Sequence, residues 1–253
     1  GRLPAAHNDI QAKTGTWAER LSQPIKEDAK HAIAIRQNLL EKALNIFFLL
    51  IIRFLFLVFC RVRIKGAQNL PAQGPMILCA NHASYLDGPL LFCCLNSHSI
   101  LNTYFLGLKA YFDHPLIAWA KKLFRFISID TNMEVAESLQ ICTYVLKNGK
   151  NLCIFPEGRR SLNGALQPFK KGIGVLIKEA DVTVIPLYIS GAFQAWPPYK
   201  ILPKPHKVTI HIGSPLSLQA LSVSTSTESI DNYANIMHNL RESVAQLERT
   251  LTE

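Results

Sequence analysis

A run of five apolar residues that stops abruptly at two polar ones constrains the fold of this chain more than any other feature. Residues 76–80 (MILCA) have the length and composition of a buried strand, and Asn81 and His82 follow directly. A second pattern of this kind, 151–155 (NLCIF), also ends at a polar loop. Stretches with helical spacing separate the strands. Such alternation is typical of an α/β fold, in which the loops at the carboxyl ends of strands hold ligands.

The order of the elements predicts an α/β fold with a single open mixed sheet flanked by helices. Strands are predicted at 62–64, 76–80, 100–106, 126–129, 151–155, 182–190 and, as an edge strand, 208–212. Helices are predicted at 25–45, 111–124, 133–146, 173–180 and 230–251. The chain then divides into four parts: a polar tail or linker (1–24), an N-terminal helical element (25–60), the α/β domain (61–221), and a Ser/Thr-rich loop with an amphipathic helix that closes on the domain or on a partner (222–253).

The most hydrophobic segment, residues 46–60 (IFFLLIIRFLFLVFC), precedes the predicted sheet. It is shorter than the about 20 residues that a spanning helix needs, and Arg53 at its centre would cost about 2.5–3.5 kcal/mol in the bilayer core. Arg61, Arg63 and Lys65 follow it. We therefore expect an in-plane helix that anchors the chain, with its apolar face in one leaflet and its cations at the headgroups. A buried core helix and a full membrane span are the alternatives.

The chain has a net charge of +9, but its basic residues are dispersed among apolar sequence. No zinc-finger, RNP-type or basic-region pattern accompanies them, so nucleic acid is not an expected partner. An anionic membrane surface or a phosphorylated substrate accounts for the same charge. The six cysteines form no C-x-x-C pair and lie mostly within apolar runs, which favours reduced core thiols in a cytoplasmic setting over zinc or disulfide sites.

His82 and Asp87 lie five residues apart on the loop that follows the strand at 76–80. Gly88 and Pro89 come next and open an apolar run with helical character. Asp87 is a suitable N-cap for that helix whatever else it does, and one histidine–aspartate pair at this spacing is a weak motif by itself. The pair gains weight only if a second polar loop converges on it.

The loop after the strand at 151–155 has a composition that suits a phosphate group. Residues 155–161 are FPEGRRS, in which glycine lets the backbone approach a ligand, arginine offers paired donors and serine adds a hydroxyl. Lys170 and Lys171 follow at the start of a predicted helix, whose N-terminus also favours anions. Taken alone, such a run is most often a solvated turn. Because both loops follow buried strands, however, they are expected to face one cleft.

Together the two loops resemble those of the PlsC-type glycerolipid acyltransferases, which include the 1-acyl-glycerol-3-phosphate acyltransferases. N-H-x-S-x-x-D at 81–87 is similar to the first sequence block of that family, and F-P-E-G-x-R-S at 155–161 to the third. V-I-P-L at 184–187 resembles the fourth block, and Lys109 resembles a lysine between the first two. The second block departs from the family's strand-ending aspartate–arginine pair, since Asp130 precedes a threonine and Arg125 lies before the strand. The resemblance covers roughly residues 61–218.

The resemblance implies transfer of a fatty acyl group from acyl-CoA or acyl carrier protein to the free hydroxyl of a lysophospholipid, at the cytoplasmic face of the inner or plasma membrane. His82 would be the general base, and Asp87 would orient and stabilise its imidazole. The phosphorylated headgroup would be bound by Lys109, Glu157, Gly158, Arg160 and Ser161, with assistance from Arg125 or Lys170. Glu157 could equally orient Arg160. No metal or organic cofactor is expected.

Three hypotheses about function compete. Lysophosphatidic acid is the first expected acceptor. The polar residues 1–24, the lack of a starting methionine and the run 193–197 (FQAWP) also resemble acyltransferase domains fused to acyl-activating synthetases, which reacylate lysophosphatidylethanolamine. A catalytically inactive membrane scaffold is the hypothesis from a different class. The joint presence of the four residues at the centre of the two motifs argues against it: His82, Asp87, Glu157 and Arg160.

Overall fold

A mixed β-sheet organises the part of the chain that the computed structural model describes, residues 15–33, 38–108, 125–130, 133–223 and 232–252. Within these residues its strands are β1 (Arg63–Lys65), β2 (Met76–Ala80), β3 (Thr103–Leu108), β4 (Phe126–Ile129), β5 (Asn151–Ile154), β6 (Thr183–Ser190) and β7 (Thr209–Ile212). They lie in the order β1-β7-β6-β2-β5-β3-β4. Strands β6, β2, β5, β3 and β4 are parallel, whereas β7 is antiparallel to β6 and parallel to β1. The predicted α/β fold with one mixed sheet is confirmed.

Helices cover both faces of the sheet. In chain order they are α1 (Trp17–Ser22), α2 (Glu27–Ile33), α3 (Leu39–Phe59), α4 (Asp87–Leu91), α5 (Ser97–Ile100), α6 (Val135–Lys147), α7 (Lys171–Ala180), α8 (Ala192–Ala195), α9 (Leu218–Leu221) and α10 (Asn232–Thr252). Every residue of β2 is buried, with Met76 and Leu78 in the core on the α3 and α4 face and Ile77 and Cys79 in the core on the α6 and α7 face. A strand without polar residues needs partners on both faces because successive side chains alternate.

Several predicted elements have other positions or surroundings in the structure. The expected edge strand at 208–212 is β7, which is internal because it pairs with β1 on one side and β6 on the other. The strand expected at 100–106 is β3 and begins only at Thr103, after α5. The expected polar tail contains α1, which a capping box between Thr16 and Glu19 and the burial of Leu21 stabilise. The helix expected at 111–124 lies outside the described residues.

The carboxyl-terminal helix α10 packs on α7 and on β6. Its apolar residues Ile236, Leu240 and Val244 are fully buried, at the three-to-four spacing of one helix face. The prediction of an amphipathic helix that closes on the domain is confirmed, and its partners are α7 and strand β6 of the sheet.

Helix α3 runs unbroken from Leu39 to Phe59, so the end of the helix expected at 25–45 continues into the apolar segment, whereas Glu27–Ile33 of that expected helix form α2. Its 21 residues make it long and apolar enough to cross a membrane by length and composition, and they rise about 31 Å. The expectation that the segment is too short to span is therefore wrong. Only 11% of its apolar window is buried, on the side of Asn45 and Leu49, which also contradicts the core-helix alternative. The other sides expose large apolar side chains, namely Leu39, Leu40, Leu44, Phe47, Leu50, Ile51, Phe54, Leu55, Leu57 and Val58.

Candidate active site

His82 and Asp87 form a hydrogen-bonded pair just past the carboxyl end of β2. The His82 Nδ1 and Asp87 Oδ2 atoms lie 2.8 Å apart, and the Asp87 carboxyl group is fully buried. The same Oδ2 accepts hydrogen bonds from the backbone amides of Ala83 and Ser84, each at 2.7 Å. Asp87 is the first residue of α4, but its carboxylate turns back onto the loop and caps no amide of the helix. Its role is to hold the histidine rather than to begin the helix.

The imidazole of His82 is oriented by two contacts. Because a carboxylate can only accept, the hydrogen bond to Asp87 assigns the ring proton to Nδ1 and leaves the Nε2 lone pair as the basic site. The Phe155 ring stacks on the imidazole, with 4.1 Å between ring centroids and 15° between ring planes. The side chain stays 20% exposed, so the ring is accessible as well as fixed.

The two loops meet, as predicted, and direct hydrogen bonds join them. The Ser161 amide donates to the His82 carbonyl at 2.8 Å. Glu157 Oε1 accepts from the His82 amide at 2.7 Å, and Glu157 Oε2 accepts from the Gln167 amide at 3.1 Å. Glu157 is buried. Both of its carboxylate oxygens therefore join backbone segments, an arrangement different from the expected contact with a headgroup or with Arg160.

Burial dominates the electrostatics of Glu157. Removal from water raises the pKa of this carboxyl group to about 7, because the charged form loses its hydration. The two backbone amides act in the opposite direction, since each donates to the ionised form. The ionised carboxylate of Glu157 joins the two loops, and keeping it charged inside the protein costs free energy.

Arg160 of the second loop lies over the ring of Tyr85 of the histidine loop. The Arg160 guanidinium carbon lies 3.8 Å from the centroid of the Tyr85 ring, a cation–π contact. The Tyr85 ring centroid also lies 5.2 Å from that of Trp196. Ser84 fixes that neighbour, since its hydroxyl donates to the Trp196 carbonyl at 2.7 Å. The guanidinium of Arg160 is thereby positioned by the histidine loop itself.

The remaining residues of the second motif shape its backbone. Gly158 has a φ of 71°, a conformation that favours glycine, and an added Cβ would come within 3.3 Å of the Lys170 side chain. Lys170 precedes α7 and donates its amide to the Pro156 carbonyl at 2.8 Å. Ser161 is buried, and its hydroxyl donates to Asn163 Oδ1 at 2.9 Å. The loop thus brings Gly158 and Lys170 together at the N-terminus of a ten-residue helix.

A family model described as Acyltransferase matches residues 61–190, a range that contains β2, β5 and both loops. The chain belongs to the acyltransferase family. Similar proteins include the 1-acyl-sn-glycerol-3-phosphate acyltransferase BAT2, chloroplastic, of Brassica napus, which is 31% identical over 55% of this acyltransferase chain and 40% of its own length. A Chlamydomonas reinhardtii 1-acyl-sn-glycerol-3-phosphate acyltransferase is 32% identical over 62% of this chain and 47% of its own. The human 1-acyl-sn-glycerol-3-phosphate acyltransferase alpha is 27% identical, over 62% of this chain and 55% of its own.

A solved structure has the same fold as this chain. The 1-acyl-sn-glycerophosphate acyltransferase PlsC of Thermotoga maritima superposes with a TM-score of 0.61 over 87% of this chain and 88% of its own, at 21% sequence identity. The predicted resemblance to the PlsC-type family is confirmed. The chain spans about half the length of the curated relatives it matches.

Arg125, which was expected to assist at the headgroup, lies away from the clustered residues. Arg125 lies at the amino end of β4, whereas the two loops follow the carboxyl ends of β2 and β5, which run parallel to β4 through β3. Its buried guanidinium donates to the Tyr104 hydroxyl at 2.6 Å. The structure therefore separates Arg125 from His82 by the length of a strand. Lys109 lies outside the described residues.

Sequence reasoning assigned no role to Asn81, Tyr85 or Trp196, which all support the site. Asn81 is buried, donates to the Ile189 carbonyl at 3.1 Å and accepts from the Ile189 amide at 2.6 Å, so its side chain ties the end of β2 to β6. Asn81 was visible as the first residue of the N-H-x-S-x-x-D motif. No local pattern pointed to Tyr85 or Trp196, because their roles depend on contacts between separate loops.

Proposed function

We propose that this acyltransferase moves a fatty acyl group from an acyl thioester, acyl-CoA or acyl carrier protein, to the free hydroxyl of 1-acyl-glycerol-3-phosphate. The observation that carries the proposal is the His82–Asp87 pair, set beside a loop that holds Arg160. The names of the relatives support this acceptor, since they are 1-acyl-sn-glycerol-3-phosphate acyltransferases. Lysophosphatidylethanolamine is the alternative acceptor.

The reaction requires one base that later acts as an acid. His82 Nε2 takes the proton of the glycerol hydroxyl as its oxygen attacks the thioester carbonyl, and Asp87 stabilises the imidazolium that forms. When the tetrahedral intermediate collapses, the carbon–sulfur bond breaks and His82 returns the proton to the leaving thiolate. The new ester and the free thiol balance the reaction. The chain then needs no nucleophile of its own, and the Ser84 hydroxyl has a supporting role at Trp196.

The phosphate of the acceptor would be bound by the second loop. Arg160 offers two parallel donors to phosphate oxygens, and its stacking on Tyr85 reduces the conformational freedom lost on binding. Lys170 and the N-terminus of α7 lie beside Gly158 and add positive potential. These groups would place the glycerol hydroxyl near Nε2, and that alignment accounts for much of the rate in a reaction between two bound substrates.

We also propose that α3 holds the domain at a membrane surface, on the cytoplasmic side. Its exposed apolar residues and the basic residues that follow it, Arg61, Arg63 and Lys65, support this placement. Because one side of α3 packs along the α/β domain at Asn45 and Leu49, an in-plane position keeps that domain in water. The acceptor, a lysolipid, would then reach the site from the same membrane.

The test compares acyl transfer to lysophosphatidic acid and to lysophosphatidylethanolamine, with acyl-CoA and acyl carrier protein as donors. We expect His82→Ala to abolish turnover, while His98→Ala, which removes an exposed histidine outside the site, keeps it. Arg160→Lys should raise the KM for lysophosphatidic acid about tenfold, since a bidentate contact is lost. A wild-type protein with no turnover on either acceptor would favour the inactive scaffold, and full turnover by His82→Ala would refute the base assignment.

A further inference from the structure

The segment between α8 and β7 exposes large apolar side chains at the surface. Ile201 is 90% exposed, Leu202 78% and Tyr199 62%. Three such side chains lie within four residues, and soluble surfaces usually avoid exposing large apolar side chains so close together. A patch of this kind marks an interaction site when its position in the fold gives it a partner.

The exposed segment adjoins the catalytic loop. The Tyr85 hydroxyl donates to the Pro198 carbonyl at 3.3 Å, and the Ser84 hydroxyl donates to the Trp196 carbonyl at 2.7 Å. These contacts join the segment around Pro198 to Ser84 and Tyr85, which follow His82 closely in the same loop. The patch therefore lies beside the loop that carries His82, whose side chain is 20% exposed.

The second motif loop contributes one more apolar side chain to the same region. Leu162, directly after Ser161, is 74% exposed. Its loop packs on Phe193, because an added Cβ at Gly164 would lie 3.0 Å from that ring. The Phe193 ring in turn lies 6.2 Å from that of Tyr199. We call the four exposed residues the apolar rim: Leu162, Tyr199, Ile201 and Leu202.

The charge around the apolar rim is positive. Lys200 lies between Tyr199 and Ile201, Lys204 and Lys207 follow Leu202, and all three lysines are exposed. From Val182 to Thr227 the sequence contains no aspartate or glutamate. Lysines beside exposed aliphatic side chains match an anionic lipid surface, in which the ammonium groups meet phosphates and the apolar side chains enter the acyl region. A protein partner would have to supply both an acidic and an apolar surface.

We propose that the apolar rim is a second membrane contact, which inserts into a bilayer that contains anionic phospholipid and places the opening of the active site against it. The proposal rests on the proposed function, because a lysolipid acceptor needs a path from the bilayer to His82. Helix α3, which packs on α4, provides the first contact. With both contacts in place, the acceptor reaches the imidazole by lateral diffusion instead of through water.

The test measures binding of the full chain to vesicles of phosphatidylcholine and phosphatidylglycerol by cosedimentation. We expect Ile201→Asp to weaken binding about tenfold, because an Ile side chain no longer enters the bilayer and a charge is placed there. Val223→Asp is the matched control, since Val223 is also an exposed aliphatic residue but lies after α9, and its binding should equal the wild type. Pure phosphatidylcholine vesicles should bind the wild type more weakly than the mixed ones.

A second measurement reports on the rim alone. A nitroxide attached at Ile201→Cys should become accessible to oxygen and protected from a polar nickel reagent when anionic vesicles are added, whereas one at Val223→Cys should not change. Neither measurement needs turnover, so both can be repeated with His82→Ala and remain informative if the proposed reaction is wrong. Unchanged vesicle binding by Ile201→Asp, or a nitroxide that stays in water, would overturn the proposal. If Ile201→Asp bound vesicles as the wild type does and lost acyl transfer only with acyl carrier protein as donor, the rim would be a protein contact and the proposal would also be overturned.

Discussion

The raised pKa of Glu157, the buried carboxyl group that joins the two motif loops, can be tested by one substitution. Glu157→Gln keeps the shape of the side chain but removes its charge. With a pKa of about 7 in the folded state against 4.5 in the unfolded chain, the folded protein retains a proton that the unfolded chain has released between these values. The stability that this group contributes is therefore present at low pH and is lost as the pH rises through 7. From pH 5 to pH 8 the loss amounts to up to about 2.5 kcal/mol in the free energy of unfolding.

The assay is urea denaturation of wild type and Glu157→Gln at pH 5 and pH 8. Glutamine does not ionise, so the free energy of unfolding of the variant relative to the wild type should rise by up to about 2.5 kcal/mol between the two pH values. The other carboxyl groups contribute equally to the free energy of unfolding of both proteins, so their contributions cancel in this comparison. Glu137→Gln, which removes a carboxylate paired with Lys26 outside the site, serves as the control. A relative stability that changes by less than about 0.5 kcal/mol would refute the assignment of a raised pKa to Glu157.

Three further predictions concern residues that the structure buries. Asp87→Asn should lower kcat by about 10²–10⁴ while the circular dichroism spectrum is kept, and a wild-type kcat would contradict its role. Asn81→Ala deletes two buried hydrogen bonds to Ile189 and should lower the free energy of unfolding in urea by about 2–4 kcal/mol, so a loss below about 0.5 kcal/mol would count against the tie between β2 and β6. Burial raises the pKa of Cys93 to about 11 and that of Cys142 to about 12. These two thiols should therefore react slowly with Ellman's reagent at pH 8 in the native protein. Their rapid stoichiometric labelling without denaturant would contradict this prediction.

Local patterns were sufficient wherever one segment carried its own signal. The strand at 76–80 needs no partner to be recognised, since a short apolar run before Asn81 and His82 has few other structures available. Helix α10 is equally clear from the spacing of its apolar residues. The features that the local patterns did not predict depend on contacts across the sheet. The segment 208–212 alternates as an edge strand would, yet β1 pairs with its outer side, and nothing in its own sequence records that neighbour.

The sequence by itself determined the α/β fold and the two motifs, because hydrophobic periodicity and turn residues act over a few neighbouring positions. Only the tertiary structure decided what the motif residues do. Glu157 meets the His82 amide across 75 residues of sequence, and Arg160 stacks on Tyr85, while Arg125 lies at the opposite end of its strand. Such contacts depend on strand order and direction, which set the spatial neighbours of residues that are distant along the chain. A side chain's burial and partners, and hence its charge state, follow from those neighbours.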